Sequence, residues 1–447
     1  MIDETYISAT GNLLLLVCGT ALTWSSPELP KLTNPATTPF QRTISPTESS
    51  WISSVVTLGA SIGPFLFGYL ADRIGRKSTL IYLGLPFLIC YPLLAISTSV
   101  EAFLVARFLM GLAVGGTFIV VPIYIGEISD KNNRGAMCST MSCFACFGIL
   151  FSCCLGPYVN VTIFNLALAV FPVAFLVLFS LLATETPHFF VREQENVLAK
   201  IVLEKIRSGD EIVDKELKEI QTAVEEEDQG TFLDSIKSKG VVRAFVISVG
   251  LLIFQQLSGI NAVLFYGQQI FQQAGTTLPA EICTIIIVGV QFLSSFFTPL
   301  VVDRYGRKII LLGSAFGMLA SELPLGVYFY LRTHNVDVSH ISFLPTLTLT
   351  TFIIAFNFGF GPLPWALLCE LFPSNVKSTA SALVSCFIWI MAFFMTRYFE
   401  ILVEIFGMDV LFLFFALCCL LGALFTVFFV VETKGRTLKE IQDVLNS

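Results

Sequence analysis

The chain has 447 residues, of which 55% are hydrophobic and 13% are charged. Soluble proteins carry about 25% charged residues, so this composition indicates an integral membrane protein. The formal net charge of −7 argues against a nucleic-acid-binding face, which would need clustered positive charge. Most cysteines lie in apolar stretches, and no histidine is near the C-x-x-C pair Cys143 and Cys146, so we expect no metal.

Apolar stretches long enough to cross a bilayer recur along the whole sequence. Crossing the hydrocarbon core of ~30 Å takes about 20 helical residues. This length predicts twelve spans, near residues 6–26, 51–71, 78–97, 102–126, 135–157, 163–184, 242–272, 280–302, 309–331, 342–369, 377–402 and 409–431. The charged stretch 185–241 between the sixth and seventh spans predicts short amphipathic helices on the membrane surface.

Basic residues favour one side of the predicted spans. The loops on the side of the N-terminus contain Arg73, Arg76, Lys77, Lys131, Arg134, nine Lys/Arg from Arg192 to Arg243, Arg304, Arg307, Lys308, Lys377, Lys434, Arg436 and Lys439. The loops on the other side hold Lys31, Arg42 and Arg332. The positive-inside rule therefore predicts that both termini are cytoplasmic. Neither tail has an acidic dileucine signal, which favours the cell membrane.

Three motif pairs repeat in the same order in the two halves. "DRIGRK" at 72–77 recurs as "DRYGRK" at 303–308, and Glu127 and Glu370 each stand seven residues before a base, Arg134 and Lys377. "ETPHF" from Glu185 and "ETKGR" from Glu432 close the halves. This repetition predicts an all-α membrane protein of two pseudo-symmetric six-helix bundles, 1–184 and 242–431, with a linker at 185–241 and a tail at 432–447.

The stretch "QQLSGINAVLFY" at 255–266 places several polar side chains in an apolar run. On a straight helix Gln256 and Asn261 lie well to either side of the stripe that contains Gln255 and Tyr266, so a break near Ser258 and Gly259 is expected to bring the amides together. Amides offer donors and acceptors to sugar hydroxyls. They also join helices in membranes at about 0.6 kcal/mol per contact, and the segment alone leaves both interpretations open.

A second irregular stretch is "GFGPLPW" in the tenth predicted span. Gly359, Gly361, Pro362 and Pro364 weaken or bend a helix, which predicts a hinge beside the aromatic ring of Trp365. A proline kink with a purely structural role is the alternative.

Many of these motifs together resemble the sugar porters of the major facilitator superfamily. The resemblance runs from about residue 50 to the C-terminus and rests on "GYLADRIGRK", "RFLMGLAVGG", "PIYIGEISDKNNRGA", "ETPHF", "QQLSGIN", "DRYGRK", "GPLPW", "ELFP" and "ETKGRTL". The stretch from "SWISSVVTLG" to "DRIGRK" is similar to the insect facilitated trehalose transporters, which resemble the animal glucose facilitators. The resemblance implies the major facilitator fold and a carrier that works by alternating access, with no enzymatic activity and no cofactor.

The resemblance also implies roles for individual residues. The side chains expected to bind a sugar are Gln255, Gln256, Asn261, Gln291, Trp365, Trp389 and Asn357. The residues expected to gate the site are Tyr266, Gly361, Pro362 and Pro364. The repeated charged motifs independently predict a charge network at the inner face that links the two bundles and contains Asp72, Arg73, Arg76, Arg107, Glu127, Arg134, Glu185, Asp303, Arg304, Arg307, Glu370, Lys377 and Glu432. An ordinary basic loop is the alternative interpretation of "DRxGRK".

Several positions depart from the pattern of the glucose facilitators. Ser142, Asn357, Ile388 and Ala392 replace more polar residues, so fewer polar groups line the pocket. Thr184 and Val431 replace prolines, and Lys377 replaces an arginine, which removes the bidentate geometry of that ion pair. The expected partners are a lipid bilayer and a small neutral sugar, such as glucose or trehalose, between which the sequence does not decide.

The remaining question is whether transport is coupled to a proton gradient. Thr20 falls where proton-coupled relatives carry an aspartate, which favours facilitated diffusion. Glu322 lies inside the ninth predicted span, where a carboxylate is costly, so proton-coupled symport is an alternative, although a structural role is favoured. A sugar sensor on the same scaffold is a further alternative, disfavoured by the short tail. Asn160 begins an N-x-T sequon, which predicts a glycosylation site close to the membrane.

Overall fold

The computed structural model describes residues 4–40, 42–130, 134–207, 209–227, 238–372, 374–434 and 438–446. Within these ranges it gives no description of the side chains of residues 134–136, 138–139, 223, 225–227, 298–305, 369, 374–375, 377–378, 438–439 and 442. The described residues form helices joined by short connections, and they contain no β-strand.

The first half and the linker contain ten α-helices among the described residues. They are α1 Glu4–Thr23, α2 Ser25–Thr33, α3 Pro46–Ile74, α4 Arg76–Ile96, α5 Val100–Ile128, α6 Arg134–Leu155, α7 Val161–Leu182, α8 Pro187–Arg192, α9 Asn196–Ile206 and α10 Asp210–Glu227. The second half continues with α11 Lys239–Leu257, α12 Ile260–Ala274, α13 Ala280–Tyr305, α14 Arg307–Thr333, α15 Leu344–Phe358, α16 Leu363–Leu371, α17 Ser374–Phe429 and α18 Leu438–Asn446.

Eleven helical stretches of the described chain are long and apolar enough to cross a membrane. The last, Thr379–Phe429, has 51 residues and would extend about 77 Å if straight, more than twice the hydrocarbon thickness. It turns at Gly407, whose φ of 86° is left-handed, so it contains two crossings. The predicted all-α fold with twelve transmembrane helices in two six-helix bundles is therefore confirmed.

The first span is longer than the sequence predicts. We predict its end near residue 26, whereas the helical stretch continues from Glu4 to Thr33. The extension includes the charged residues Glu28 and Lys31, which form an ion pair of 2.6 Å between Oε1 and Nζ. Because this pairing offsets part of the cost of burying charge, the polar extension remains inside the bundle.

Buried apolar side chains form two clusters. One comes mainly from the first half and includes Phe87 and Phe103, and the other comes mainly from the second half and includes Phe265 and Phe412. Trp389 of the second half packs in the first-half cluster. Each half thus has its own core, and apolar side chains also pack across between the two.

Small residues let helices of the first half approach closely. A Cβ atom added at Gly59 of α3 would overlap the carbonyl oxygen of Phe108 in α5, and one added at Gly111 of α5 would overlap that of Val56 in α3. Glycine therefore permits backbone contact between these two helices, as is common in membrane proteins.

The two ends of the bundle can be told apart by contacts between distant segments. Glu4 Oε2 accepts the backbone N–H of Asp130 at 2.9 Å, so the start of α1 and the end of α5 lie at one face. This face also contains the turns at Gly75 and Gly306, and we name it the basic face. The other end of the bundle is named the opposite face.

The linker helices pack against the first half at the basic face. Arg207, after α9, is buried and forms ion pairs with Glu4 at 2.7 Å and with Glu216 at 3.0 Å. Its guanidinium also donates to the carbonyl oxygen of Ile128 at 3.0 Å. One arginine therefore joins the linker to the first and fourth spans.

Candidate functional site

The seventh span is broken where the sequence predicts a break. Gly259 has a φ of 81°, which only glycine adopts readily, and it separates α11 from α12. A Cβ atom here would lie 2.6 Å from the ring of Phe415, so space as well as conformation requires glycine. Gln255 and Gln256 end α11, and Asn261 begins α12.

The tenth span is broken as well, between Phe358 and Leu363. Gln255 Nε2 donates to the carbonyl oxygens of Phe360 at 2.5 Å and of Gly361 at 2.9 Å. These carbonyls have left the helical pattern and need donors, since an unsatisfied buried group is costly. Gln255 thus connects the two broken helices, and its amide nitrogen is used in helix contact.

Ser314 of α14 stabilises the same break from the other side. Its Oγ donates to the carbonyl oxygen of Ala355 at 2.7 Å and accepts the N–H of Phe360 at 3.0 Å. The hinge predicted at Gly361, Pro362 and Pro364 therefore coincides with a real interruption whose backbone groups are satisfied from two neighbouring helices.

The remaining predicted amides make hydrogen bonds within the second half. Asn261 Nδ2 donates to Gln256 Oε1 across the break in the seventh span. Asn357 Nδ2 donates to Ser294 Oγ at 2.7 Å and to the carbonyl oxygen of Gln291 at 3.2 Å. The Oε1 atom of Gln291 is buried, and no hydrogen-bond partner for it occurs among the described residues.

The two predicted tryptophans have different surroundings. Trp365 packs at the edge of the second-half core. Trp389 is buried, and its Nε1 has no hydrogen-bond partner within the described part of the chain. Its indole lies 5.8 Å from the ring of Phe118, which belongs to the first half. Among the departures from the glucose facilitators, Ile388 and Ala392 are buried and Ser142 is exposed.

Tyr266 joins the two halves near the opposite face. Its hydroxyl shares a hydrogen bond of 2.6 Å with Ser53 Oγ of the first half and donates to the carbonyl oxygen of Thr396 at 2.7 Å. Its ring stacks on Phe399 at 5.1 Å. A tyrosine that is fully buried between α3, α12 and α17 closes this end of the interface.

Charged residues strengthen this closure, and the sequence analysis did not identify them. Arg397 donates to Ser50 Oγ at 2.8 Å, and its guanidinium lies 4.9 Å from the ring of Trp51. Ser49 Oγ donates to Glu400 Oε1 at 3.4 Å. We call Ser49, Ser50, Ser53, Trp51, Tyr266, Arg397 and Glu400 the opposite-face latch. The available signal was an arginine and a glutamate inside the eleventh predicted span.

The charged motifs of the basic face form matching clusters in the two halves. Arg76 pairs with Glu127 at 3.1 Å, and Arg307 pairs with Glu370 at 3.1 Å. Glu185 accepts the backbone N–H groups of Arg76 and Lys77, and Glu432 accepts those of Arg307 and Lys308. The turns at Gly75 and Gly306 have nearly equal φ values, 92° and 87°. The repeat in the sequence is therefore a repeat in structure.

These described ion pairs connect helices within each half. Asp72 also stays within its half and the linker, because it pairs with Arg192 at 3.1 Å and with Arg76 at 3.4 Å. Arg73 lies over the ring of Tyr69 at 5.5 Å. Arg134, Asp303, Arg304 and Lys377, which we also expect in this network, have side chains outside the described residues.

The pKa values of the two glutamates at the glycine turns are shifted in opposite directions. Burial raises the pKa of Glu185, against the effect of the backbone N–H groups that it accepts. Burial also acts to raise the pKa of Glu432, but backbone N–H groups that include those of Lys434 and Arg307 outweigh it, and the pKa of Glu432 lies below its ordinary value. Both carboxylates act as caps for the helix that follows each turn.

Arg107, which we expect in the inner-face network, lies instead near the other end of the bundle. It stands seven residues after the start of α5 at Val100, and α5 reaches the basic face only at Ile128. Its guanidinium donates to the carbonyl oxygen of Ala21 at 2.6 Å and lies 4.9 Å from the ring of Trp24. About 31 Å of helix therefore separates Arg107 from the basic-face end of α5 at Ile128.

Glu28 and Glu322 are buried carboxyl groups within the spans. Glu322 of α14 accepts a hydrogen bond from Cys419 Sγ at 3.3 Å, between the ninth and twelfth spans. Glu28 of α2 pairs with Lys31, and it was missed because the first span was predicted to end before it. Within the described chain, one oxygen of each carboxyl has no hydrogen-bond partner.

Asn160 is exposed and caps α7. Its Oδ1 accepts the backbone N–H of Ile163 at 2.8 Å. The hydroxyl of Thr162, the third residue of the sequon, donates to the carbonyl oxygen of Ala95 at 3.0 Å. The predicted glycosylation site is thus a helix N-terminus.

Comparison with known proteins was made for both sequence and fold. The family described as "Sugar (and other) transporter" matches residues 22–445. The facilitated trehalose transporter Tret1 of Culex quinquefasciatus is 35% identical over 431 residues, which are 96% of this chain and 83% of that protein. Tret1 of Drosophila mojavensis is 33% identical over 96% of this chain, which spans 50% of that longer protein.

Two solved structures of one bacterial protein share the fold. The proton:xylose symporter XylE bound to 6-bromo-6-deoxy-D-glucose has 25% sequence identity and a TM-score of 0.80, over 98% of both chains. The inward open conformation of the xylose transporter XylE from E. coli also has 25% identity and a TM-score of 0.80, over 98% of this chain and 99% of that one. Since the family match covers nearly the whole chain and the glycine turns and charge clusters repeat in its two halves, this chain belongs to the sugar transporter family of the major facilitator superfamily.

Proposed function

We propose that this chain carries a neutral sugar across a membrane by facilitated diffusion, with the sugar bound between its two halves. The observation that carries this proposal is the pair of buried polar atoms Gln291 Oε1 and Trp389 Nε1, which lack partners among the described residues. One is an acceptor and the other a donor. A sugar hydroxyl both donates and accepts, so hydroxyls of one ligand can satisfy both atoms.

The broken helices support the same proposal. Amides at Gln256 and Asn261 lie at an interruption of the seventh span, and Trp365 follows an interruption of the tenth. Interrupted helices at bilayer depth are tolerated where they line a cavity, and they mark substrate sites in transporters. We assign the sugar contacts to Gln256, Asn261, Gln291, Trp365 and Trp389.

Gln255 and Asn357 have a different place in this proposal. Both donate to backbone carbonyl oxygens of neighbouring helices, Gln255 to Phe360 and Gly361 and Asn357 to Gln291. We propose that these two amides position the helices that carry the sugar contacts.

The closed opposite face supports alternating access. Tyr266 and Arg397 make hydrogen bonds between the halves there, whereas the described ion pairs of the basic face stay within each half. We propose that the halves separate at the basic face while the latch holds, and that the latch opens in the other state. Gly361, Pro362 and Pro364 would supply the bend in the tenth span.

The proposal also includes an orientation, which rests on the distribution of charge, and a cellular location. We propose that the basic face is cytoplasmic, because Lys and Arg are concentrated in its loops, and that the protein lies in the cell membrane with both termini inside. Asn160 would then face outward, available for glycosylation.

The sugar class rests on the relatives. The Culex and Drosophila proteins are named for trehalose, and the XylE structure is described as a xylose symporter bound to a glucose derivative. Each of these ligands is a neutral polyhydroxylated ring compound, which suits uncharged amides and indoles.

Counterflow into proteoliposomes tests the proposal. The purified full chain should exchange labelled glucose or trehalose, and Gln291→Leu should raise the apparent KM by about 2- to 10-fold, the effect of one lost neutral hydrogen bond. Gln273→Leu, at an exposed glutamine near the end of α12, is the matched control. Absence of exchange for every neutral sugar would refute the proposed function.

Proton-coupled symport is a second candidate, because Glu28 and Glu322 are buried carboxyls inside spans with one unpartnered oxygen each among the described atoms. The same proteoliposomes decide between the two mechanisms when a pH gradient is imposed. Accumulation of sugar driven by the gradient, and lost in Glu28→Gln or Glu322→Gln, would establish symport. Equal exchange with and without the gradient supports facilitated diffusion.

A further inference from the structure

Among the described ring contacts, Phe118 is the aromatic residue of the first half that touches a proposed sugar-binding residue. Its ring lies 5.8 Å from the indole of Trp389, with the two planes tilted by 59°. Phe118 belongs to α5 and Trp389 to α17, so this contact crosses between the halves. Trp389 and its neighbour Ala392 both pack with the first-half core, which shows how closely the two walls meet here.

The depth of this contact can be estimated along both helices. Phe118 stands ten residues before Ile128, at the basic-face end of α5, which is about 15 Å of helix. Trp389 stands seven residues before Thr396, whose carbonyl oxygen accepts the hydrogen bond from Tyr266 in the latch. The Phe118–Trp389 contact therefore lies about 11 Å of helix from the level of the latch.

This spacing limits what can lie between the contact and the latch. One sugar ring in van der Waals contact on both sides needs about 7–8 Å, because each contact takes 3.5–4.0 Å. A second ring stacked along the same direction would need about 4 Å more and would fill the whole interval. Two stacked rings would therefore need about 11–12 Å, at least the whole interval of about 11 Å.

The exposure of the candidate ligands also indicates a small site. The exposed fractions are 4% for Gln255, 6% for Gln256, 5% for Gln291 and 8% for Trp389. The indole of Trp389, which is proposed to stack on the sugar, is covered here by protein. The ring of Phe118 packs against it from the first half. The partly buried Phe118 thus forms the wall that would have to recede for a longer ligand.

We propose that Phe118 determines specificity by limiting the site to a monosaccharide. The proposal rests on the proposed function, since it concerns the size of the sugar that the site accepts. Phe118 forms the end wall of the site on the side of the basic face, and it rejects the second ring of a disaccharide by direct overlap. A small side chain at this position opens the space that the second ring needs.

The test is counterflow of labelled glucose and labelled trehalose into proteoliposomes that contain the full chain. The unsubstituted protein should exchange glucose, and unlabelled trehalose should not compete. Phe118→Ala should raise the ratio of trehalose to glucose exchange at least 10-fold, a ratio that does not depend on how much protein is folded. Phe118→Leu should give a smaller rise, and it covers the case in which the alanine variant fails to fold.

A matched control is available at another aromatic contact between the halves. Phe147 of the first half lies 5.7 Å from Phe292 of the second half, and its side chain is partly exposed. Phe147→Ala removes a similar ring without touching Trp389, so its trehalose-to-glucose ratio should equal that of the unsubstituted protein. An equal rise in Phe147→Ala and Phe118→Ala would overturn the assignment to Phe118.

Other outcomes separate the size limit from the proposed function. Trehalose exchange equal to that of glucose in the unsubstituted protein would overturn the size limit alone. Glucose exchange with an unchanged ratio in Phe118→Ala and Phe118→Leu would do the same. Absence of exchange for any neutral sugar would instead overturn the proposed function, and the size limit with it.

Discussion

Gln255 shows that a polar residue in a membrane helix can serve the backbone of its neighbours. Its two donor hydrogens point to the carbonyl oxygens of Phe360 and Gly361, at 2.5 and 2.9 Å. A glutamine is suited to this position because its amide nitrogen is neutral and can donate twice. The amide chemistry was visible in the sequence, whereas the partner lies more than 100 residues away and could not be inferred from the segment.

The two turn-binding glutamates give a prediction on pH dependence. The pKa of Glu432 lies below its ordinary value in the folded protein, so the ionised carboxylate stabilises the fold above the unfolded pKa of about 4.3. This contribution is lost as the pH falls through the folded pKa. We expect Glu432→Gln to lower the melting temperature in detergent most at pH 7, with the difference from the unsubstituted protein shrinking below about pH 4.

The control for this titration is Glu404→Gln, at an exposed glutamate of α17. Its melting temperature should differ little from that of the unsubstituted protein at every pH. Glu185 should behave oppositely to Glu432, because burial raises its pKa and acidification then relieves the cost of the buried charge. If the melting temperature of Glu432→Gln fell further below that of the unsubstituted protein on acidification, the stabilising role of the ionised Glu432 would be contradicted.

The broken helices are the elements on which the site depends. Gly259 lets α11 end and α12 start in a new direction, while Ser314 and Gln255 satisfy the backbone of the tenth span. The first break was predictable because a glycine among crowded amides is a local signal. The bracing by Ser314 was not, since it depends on how α14 packs against α15.

Gly259→Ala tests the importance of the first break. The left-handed backbone costs a non-glycine residue about 1–2 kcal/mol, and the added Cβ would also press on Phe415. We expect a lower melting temperature and reduced sugar exchange. Gly313→Ala is the control, because this helical glycine of α14 has open space around its Cβ position and alanine favours helix. Equal melting temperatures for Gly259→Ala and Gly313→Ala would show that the break does not require glycine at residue 259.

Across the whole molecule, the two halves meet at the opposite-face latch. Tyr266 and Arg397 make the hydrogen bonds, and Trp51 lies beneath the guanidinium. These contacts stabilise the state with the opposite face closed, and exchange between states requires that they break. The latch therefore sets a balance between two arrangements of the two halves.

Arg397→Leu should shift this balance towards opening at the opposite face. We expect faster hydrogen–deuterium exchange in peptides 46–53 and 393–400, which form the two sides of the latch, with unchanged exchange in the core of α14. Arg42→Leu is the matched control, because Arg42 is exposed on the same face and pairs within one half, with Glu48. If both variants, or neither, raised exchange at the latch, the role of Arg397 would be refuted.

The membrane class, the twelve crossings, the twofold repeat and the break at Gly259 could all be inferred from the sequence. Each of these features depends on the composition and order of residues in a local segment, so hydropathy and motif spacing reveal it directly. The tertiary structure decided that Gln255 supports the tenth span, that Arg107 lies far from the basic face, that Arg397 meets Ser50 and that Phe118 meets Trp389. These contacts join segments that are distant in the chain, and the packing of whole helices, which no local pattern encodes, brings them together.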